Sequence, residues 1–412
     1  MDLLRYAILF VLGTALGGQL NRGIYRLAWY QRSVGPWSAP HPDAPPRRWL
    51  DRVPVIGWLG LRREAPLHGT GYWIRPLLIE LAVGGGLAAW YGWEVVCGGL
   101  LPTSLRPPAG LSLLLHAQFL SHVTLISLMI VATFIDFDEK TIPDAITVPG
   151  TLVGLLLMTV CPLAALPIGE SVGRTSVHVA PLVLMSPQSW SKTLDGPLGL
   201  YFGLACFAGW CLAIWPRTVT LRRGLRKAVQ YGLVSMFRYP GWRLIVVILV
   251  CGSAGIGIVW WLQIPSWPSL LTALVGMAFG GGLIWAVRIV GGSALGKEAM
   301  GFGDVTLMAM IGTYLGWQSS LMVFFLAPFV AVIICVVQWV VTRRRDIAFG
   351  PYLCTAAVVI LWAWNPLWEH QAKPIFSLGW WVPELLVCCL VLLGGLLLMW
   401  RLIEGALFGP RT

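Results

Sequence analysis

Residues Gly296 to Trp317 read GKEAMGFGDVTLMAMIGTYLGW, where Lys297, Glu298 and Asp304 stand beside closely spaced glycines in an otherwise apolar surrounding. An ionisable side chain near hydrocarbon costs about 2.5 to 3.5 kcal/mol on insertion scales, so a carboxylate at Asp304 calls for a functional reason. Gly301 and Gly303 lack the Cβ atoms that would hold a second backbone away from that carboxylate. The apolar run from Val305 to Tyr314 places Asp304 on the first turn of a short helix, a position that also favours Asp as a cap. Taken alone, the stretch reads most simply as a hinge closed by a capping Asp.

The rest of the chain decides its surroundings. With 57% hydrophobic and 11% charged residues, and a mean hydropathy of +0.75, the 412 residues carry more apolar surface than one water-soluble core can hide. Predominantly apolar runs long enough to span a bilayer recur along the whole length, which predicts an all-α, polytopic membrane bundle of about eleven spans. The formal charge of +11 comes from Lys and Arg gathered in a few loops, a positive-inside pattern and not a nucleic-acid face. Nine cysteines lie mainly within apolar runs with no CxxC spacing, so no disulfide framework or zinc knuckle is expected. The first apolar run is followed by Asn21, Arg22 and Arg26 without a small-residue cleavage site and is expected to be retained.

The arginines set the topology. Leu3 to Leu27 is the first span, and the loop 28–73, with Arg32, Arg47, Arg48, Arg52, Arg62 and Arg63, is assigned to the cytoplasm. Its prolines predict an irregular, compact loop domain. The second span, Ile74 to Val96, contains Glu80, which is expected to pair with a loop arginine. A third span ends at the cytoplasmic face in IDFDEKTIPD, Ile135 to Asp144, the second concentration of charge. A later basic stretch, Arg217 to Arg243, has Leu221, Leu225, Val229 and Phe237 at roughly helical spacing. It reads either as a helix lying on anionic headgroups or as a solvated loop. The organisation expected is a helix pair with its loop (1–96), helices bearing the first acidic motif (109–166), an inserted region with two extra spans (167–265), a GxGD core (266–366) and an additional terminal span (367–412).

In this topology Asp136 and Asp304 reach the same membrane face. Two carboxyls that share one proton can activate a water and protonate a leaving group, the chemistry of an aspartic peptidase. Asp136 lies near a helix C-terminus and Asp304 at a helix N-terminus, so the helix ends alone would leave the proton on Asp136 and make Asp304 the base. Asp138 falls on another helix face and reads as a cap or solvent-facing group. Asp144 follows Pro143 and complements the N-terminus of the next helix. Lys297 and Glu298 read as a neutralising pair at the interface, with a role in peptide binding as the alternative. His116 and His122 are expected to be hydrogen-bonded interior residues and not metal ligands.

The motifs IDFDEKTIPDAITVP (Ile135 to Pro149) and GKEAMGFGDVTLMAMIGTYLGWQ (Gly296 to Gln318) resemble the two catalytic motifs of the type IV prepilin peptidase family, membrane aspartic peptidases with a GxGD signature. FGPYL at Phe349 to Leu353, the set Gly17, Leu20, Asn21, Ile24, Tyr25, Arg26 and Leu27, the segment Val53 to Arg62, and Pro76 to Glu80 are similar to further family patterns. The resemblance implies Asp136 and Asp304 as the catalytic pair, with Gly301, Gly303, Asp138, Asp144, Lys297 and Glu298 as supporting positions. It also implies metal-free cleavage of prepilins or pseudopilins, of type IV pilus or type II secretion systems, after the Gly of a short basic leader. The site would face the cytoplasm from a bacterial inner membrane, with membrane lipids and prepilins as partners, no nucleic acid, and an oligomeric state left open.

Three departures shape that expectation. Many members carry two CxxC pairs in the first cytoplasmic loop, a zinc-binding pattern, whereas the loop here has no cysteine and reads REAPLH at Arg63 to His68. Zinc is therefore not expected there, and the rebuilt loop leaves open whether S-adenosylmethionine serves a second, methylating activity. Thr306 replaces the Lys usual two residues after the second Asp. The region between the motifs is longer than usual. A non-catalytic family member that binds prepilins, and a transporter or assembly scaffold, are the other readings; a transporter would place its acids near the bilayer centre in repeated halves.

Overall fold

The computed structural model describes residues 2–102, 111–172, 176–215, 238, 241–296, 300–342, 348–379 and 381–408. The amphipathic reading of Leu221 to Phe237, the pair Lys297 and Glu298, and the triplet Arg343, Arg344 and Arg345 lie outside these residues.

In chain order the main elements are α1 (Asp2–Leu27), α2 (Ile56–Leu61), α3 (Ile74–Tyr91), α4 (Ser112–Glu139), α5 (Asp144–Val160), β1 (Pro167–Val172), β2 (Ser176–Pro181), α6 (Pro197–Ile214), α7 (Trp242–Trp261), α8 (Trp267–Leu295), α9 (Phe302–Thr342), α10 (Gly350–Trp362) and α11 (Trp381–Phe408). Among the described residues seven helices, α1, α4, α6, α7, α8, α9 and α11, are long and apolar enough to cross a membrane, and α5 and α10 are shorter apolar helices. The chain is thus an all-α, multi-pass membrane protein. The helix expected as the second span is not among the seven. It runs for 18 residues and is continued by a π-helical turn, Gly92–Val96, and Arg75 and Glu80 lower its apolar character.

Two local elements carry no signal in the sequence analysis above. The segment after α5 pairs as a β-hairpin, helped by β-branched residues such as Ile168 and Val179. Before α11 the chain forms a series of helical turns, Trp364–Leu367, Trp368–Ala372 and Lys373–Phe376.

The chain forms two compact units. The first comprises 1–150, 169–179 and 326–365. Within it α1 lies on α3 through small residues: a Cβ on Gly13 would fall 2.8 Å from Gly84 Cα, and one on Gly17 would fall 2.8 Å from Glu80 Cα. In lipid, where burying apolar surface does not drive helices together, such close backbone approach supplies the packing energy. The loop 28–73 is folded against α3, and α10 packs on α4.

The second unit comprises 151–168, 180–325 and 366–412. Its centre is α8, against which α6 and α11 pack, with α7 on α6. The first part of α9 crosses α8 at three glycines. A Cβ on Gly276 would collide with the Gly312 carbonyl, and one on Gly280 would lie 2.6 Å from the Met308 carbonyl. At 41 residues α9 would be about 60 Å long as one straight rod, twice a bilayer core. It is instead broken at Gly316, whose φ of 80° and ψ of 172° only glycine adopts cheaply. The reversal brings Ser320 Oγ within 3.0 Å of where a Cβ on Gly312 would stand. Gln318 Nε2 and the Trp317 indole donate to the carbonyls of Val183 and Leu184, tying the break to the segment that follows the hairpin. The short helix expected from Val305 to Tyr314 ends just before this break.

Gly276→Leu is expected to force α8 and α9 apart and to lower stability by about 1 to 3 kcal/mol, measured as a shift in denaturant unfolding of the detergent-solubilised chain; Gly282→Ala, where a Cβ meets nothing within 4 Å, is expected to be near neutral.

Candidate active site

The first motif sits at the end of α4. Lys140 adopts a left-handed conformation (φ 57°) and its N–H donates to the Asp136 carbonyl at 2.9 Å, stopping the helix one turn past Asp136. The Asp136 side chain is 5% exposed, and its Oδ2 accepts the Gly350 N–H at 3.1 Å. Gly350 opens α10, so the carboxylate meets the positive end of that helix as well as the negative end of its own. The assignment of the proton to Asp136 from α4 alone is therefore incomplete. Glycine is required here, because a Cβ on residue 350 would fall 2.7 Å from Asp136 Oδ2. Sequence reasoning quoted FGPYL without seeing this role; the signal was a glycine at the start of an apolar helix in a recurring motif.

The neighbouring acids point elsewhere. Asp138 is held by Arg75, whose Nη1 donates to Oδ1 at 2.9 Å and to Oδ2 at 2.8 Å while the guanidinium lies 4.8 Å from the Phe134 ring centre. Glu139 accepts the backbone N–H groups of Trp29 and Tyr30, at 2.7 and 2.9 Å, and so fixes the chain leaving α1. Asp144 is exposed in the first turn of α5.

In the second unit Asp304 lies in the first turn of α9 and is 7% exposed. A Cβ on Gly301 would stand 3.7 Å from Asp304 Oδ2, an ordinary contact, so this contact does not by itself demand glycine. Thr306 is buried, and its Oγ1 donates to the Gly303 carbonyl at 3.1 Å, closing the first turn on itself where a Lys would extend away. Arg288 sits 5.7 Å over the Phe302 ring. The same turn faces an apolar groove of about 230 Å³ lined by Cys206, Trp210, Trp285, Phe302, Val305 and Thr306 among others. Asp136, Asp138 and Asp144 thus belong to the first unit, and Gly301, Gly303 and Asp304 to the second.

Glu80 does not pair with a loop arginine as expected. It is 2% exposed and accepts the Val55 N–H at 2.5 Å, the Trp58 indole N–H at 2.8 Å and the Asn21 amide at 3.5 Å. Val55 reaches it with a positive φ of 66°. The arginines are engaged within the loop: Arg47 binds both Glu64 oxygens at 2.8 and 2.9 Å as well as the carbonyls of Gly35 and Ser38, and Arg63 pairs with Asp51. Burial pushes the Tyr72 hydroxyl up to about 12, and it stays protonated to donate to the Leu61 carbonyl at 2.6 Å. The loop has no cysteine, and its buried carboxylates Asp51 and Glu64 are taken by guanidinium groups. Among the described residues no cluster of three or more His, Cys, Asp or Glu side chains is arranged to hold a metal.

His122 is the hydrogen-bonded interior residue expected, but its partner Glu94 went unnoticed in the sequence. His122 Nδ1 and Glu94 Oε1 are 2.7 Å apart, both 0% exposed, and Trp90 donates to the other Glu94 oxygen. A charge inside an apolar run, the signal that marked Glu80, was present at Glu94 too. His116, by contrast, is exposed and not interior, bonded to the Ser112 carbonyl and the Tyr91 hydroxyl.

Helices long enough to cross a bilayer, with nearly buried carboxylates at their ends, define a polytopic helical membrane protein of the buried-acid kind. Residues 242–336 match the Type IV leader peptidase family, a segment that includes α7, α8 and the first part of α9. A prepilin leader peptidase/N-methyltransferase of Myxococcus xanthus is 25% identical over 257 residues, covering 61% of this chain and 62% of that protein. One of Neisseria gonorrhoeae is 30% identical over 177 residues (40% and 51%), and one of Aeromonas salmonicida 38% over 71 (16% and 24%). The chain therefore spans less than two thirds of the curated relatives it matches. No solved structure matches it. Over these segments the chain is similar to the type IV leader peptidase family and to its prepilin peptidase members.

Replacing Glu80 by Leu leaves the Val55 and Trp58 donors without an acceptor at a cost of about 1 to 3 kcal/mol each; limited proteolysis is expected to cut loop 28–73 faster in Glu80→Leu than in wild type, with Glu80→Gln intermediate.

Proposed function

We propose that the chain is a membrane aspartic endopeptidase that removes the N-terminal leader of type IV prepilins or pseudopilins at the cytoplasmic face of a bacterial inner membrane. The observation that carries the reading is the burial of Asp136 and Asp304, 5% and 7% exposed, at the ends of apolar helices. Carboxylates are kept in such places for chemistry more often than for packing. The relatives' names supply the substrate class, and the arginines of loop 28–73 support the cytoplasmic face.

In the proposed reaction the two aspartates hold one proton between them. The ionised carboxylate takes a proton from water as the water oxygen bonds to the scissile carbonyl carbon. The protonated partner gives its proton to the amide nitrogen, the C–N bond breaks, and the new carboxyl and amine ends leave. The Gly350 N–H stabilises negative charge on Asp136, which sets α10 against α4 in deciding where the proton rests. No metal takes part in this scheme. The loop is stapled by Arg47–Glu64 and Arg63–Asp51, and methyl transfer with S-adenosylmethionine is not part of the proposal.

Co-expression with a candidate prepilin, followed by mass spectrometry of its N-terminus, tests this. Wild type is expected to remove the leader, and Asp136→Asn and Asp304→Asn each to lower cleavage by at least about 10³-fold while remaining membrane-inserted. Robust turnover by either variant would exclude the shared-proton mechanism, and a prepilin bound but uncut by wild type would favour a non-catalytic binder.

A further inference from the structure

α8 ends at Leu295, nine residues before Asp304. Gly296 closes α8 in a left-handed conformation (φ 70°), its N–H donating to the Gly292 carbonyl at 2.9 Å. The last carbonyls of a helix carry partial negative charge, and a cation is favoured there. Arg401, on α11, fills that place. Its Nη1 donates to the Ala294 carbonyl at 3.3 Å. Its guanidinium lies flat against Gly296: a Cβ there would stand 3.3 Å from Nη2 and 3.4 Å from Cζ and Nη1. Gly296 is thus favoured by its backbone conformation, and its lack of a Cβ lets the guanidinium approach closely.

The contact is part of a longer seam. Two turns earlier on α11, Gly394 meets Val290, with a Cβ on residue 394 falling 3.0 Å from Val290 Cγ1. Residues 394 and 401 share one face of α11, and 290 and 294 share one face of α8. The two helices therefore run in the same direction along this seam, and α8 ends level with Arg401 while α11 continues to Phe408. Much of the rest of α11, including Leu385, Val391, Leu396 and Leu402, is exposed and suited to lipid.

We infer that Arg401 is a positioning residue: by closing the C-terminus of α8 over Gly296 it fixes where the chain leaves that helix, and so where Asp304 starts α9. This rests on the proposed peptidase reading for its catalytic consequence but not for the contact itself. Both are measured on the full-length protein in lipid, with a synthetic prepilin leader peptide for cleavage and hydrogen–deuterium exchange for the amides of 292–303. Arg401→Gln is expected to lower kcat about tenfold with KM within about twofold, and to speed exchange across 292–303 about tenfold, leaving the rest of α8 protected. Arg401→Lys keeps the cation at the helix end and is expected to recover both to within about threefold of wild type.

Wild-type kcat and wild-type exchange in Arg401→Gln would overturn the inference. So would accelerated exchange spread over the whole of the second unit, which marks general destabilisation, or failure of Arg401→Lys to recover. If wild type does not cleave the peptide while Arg401→Gln still loosens 292–303 alone, the peptidase reading fails and the placement of Arg401 stands.

Discussion

A carboxylate buried among membrane helices must find donors inside the protein, because the surrounding hydrocarbon has none to offer. That requirement orders much of this chain. Glu80 gathers the Val55 N–H, the Trp58 indole and the Asn21 amide, and thereby pins the loop 28–73 to α3 and α1. Asp136 finds the first N–H of α10. Glu94 is met by His122 and Trp90. Asp51 and Glu64 take the guanidinium groups of Arg63 and Arg47. In most of these cases the partner lies far off in sequence, so the same contacts that neutralise a charge also close the fold.

Glycine supplies the other half of the account. Gly13, Gly17 and Gly84 let α1 and α3 touch, and Gly276, Gly280 and Gly312 do the same for α8 and α9. Gly350 admits a carboxylate where a Cβ would intrude, and Gly296 lets a guanidinium approach closely. Gly316 breaks a helix that is otherwise too long for the bilayer. The close approaches put backbone dipoles and charges at van der Waals distance, where a low dielectric makes them count.

The membrane class, the two acidic motifs and the short helix ending at Tyr314 were legible because each leaves a local signature: apolar runs of bilayer length, charges where charges are costly, and a short apolar run from Val305 to Tyr314. The partners of those charges were not. Glu80 was assigned an arginine because arginines are the commonest neighbours in that loop, yet the loop folds so that its arginines serve its own carboxylates and presents an indole and a backbone N–H instead. Asp138 was separable from Asp136 by helical spacing, but its bond to Arg75 depends on how α3 lies on α4, which no spacing states. The hairpin after α5 was hidden by its short length, and Arg401 by the distance along the chain between α8 and α11.

The proposed hydrolysis requires Asp136 and Asp304 to face one peptide bond, and proximity measures that most directly. In a chain whose native cysteines have been replaced, Cys introduced at positions 136 and 304 would be treated with a short bifunctional thiol crosslinker, and the chain then cut by a site-specific protease between them. The account predicts that the two fragments stay joined on a denaturing gel, in membranes and without substrate. Fragments that separate fully, while each cysteine alone still reacts with a monofunctional reagent, would contradict it.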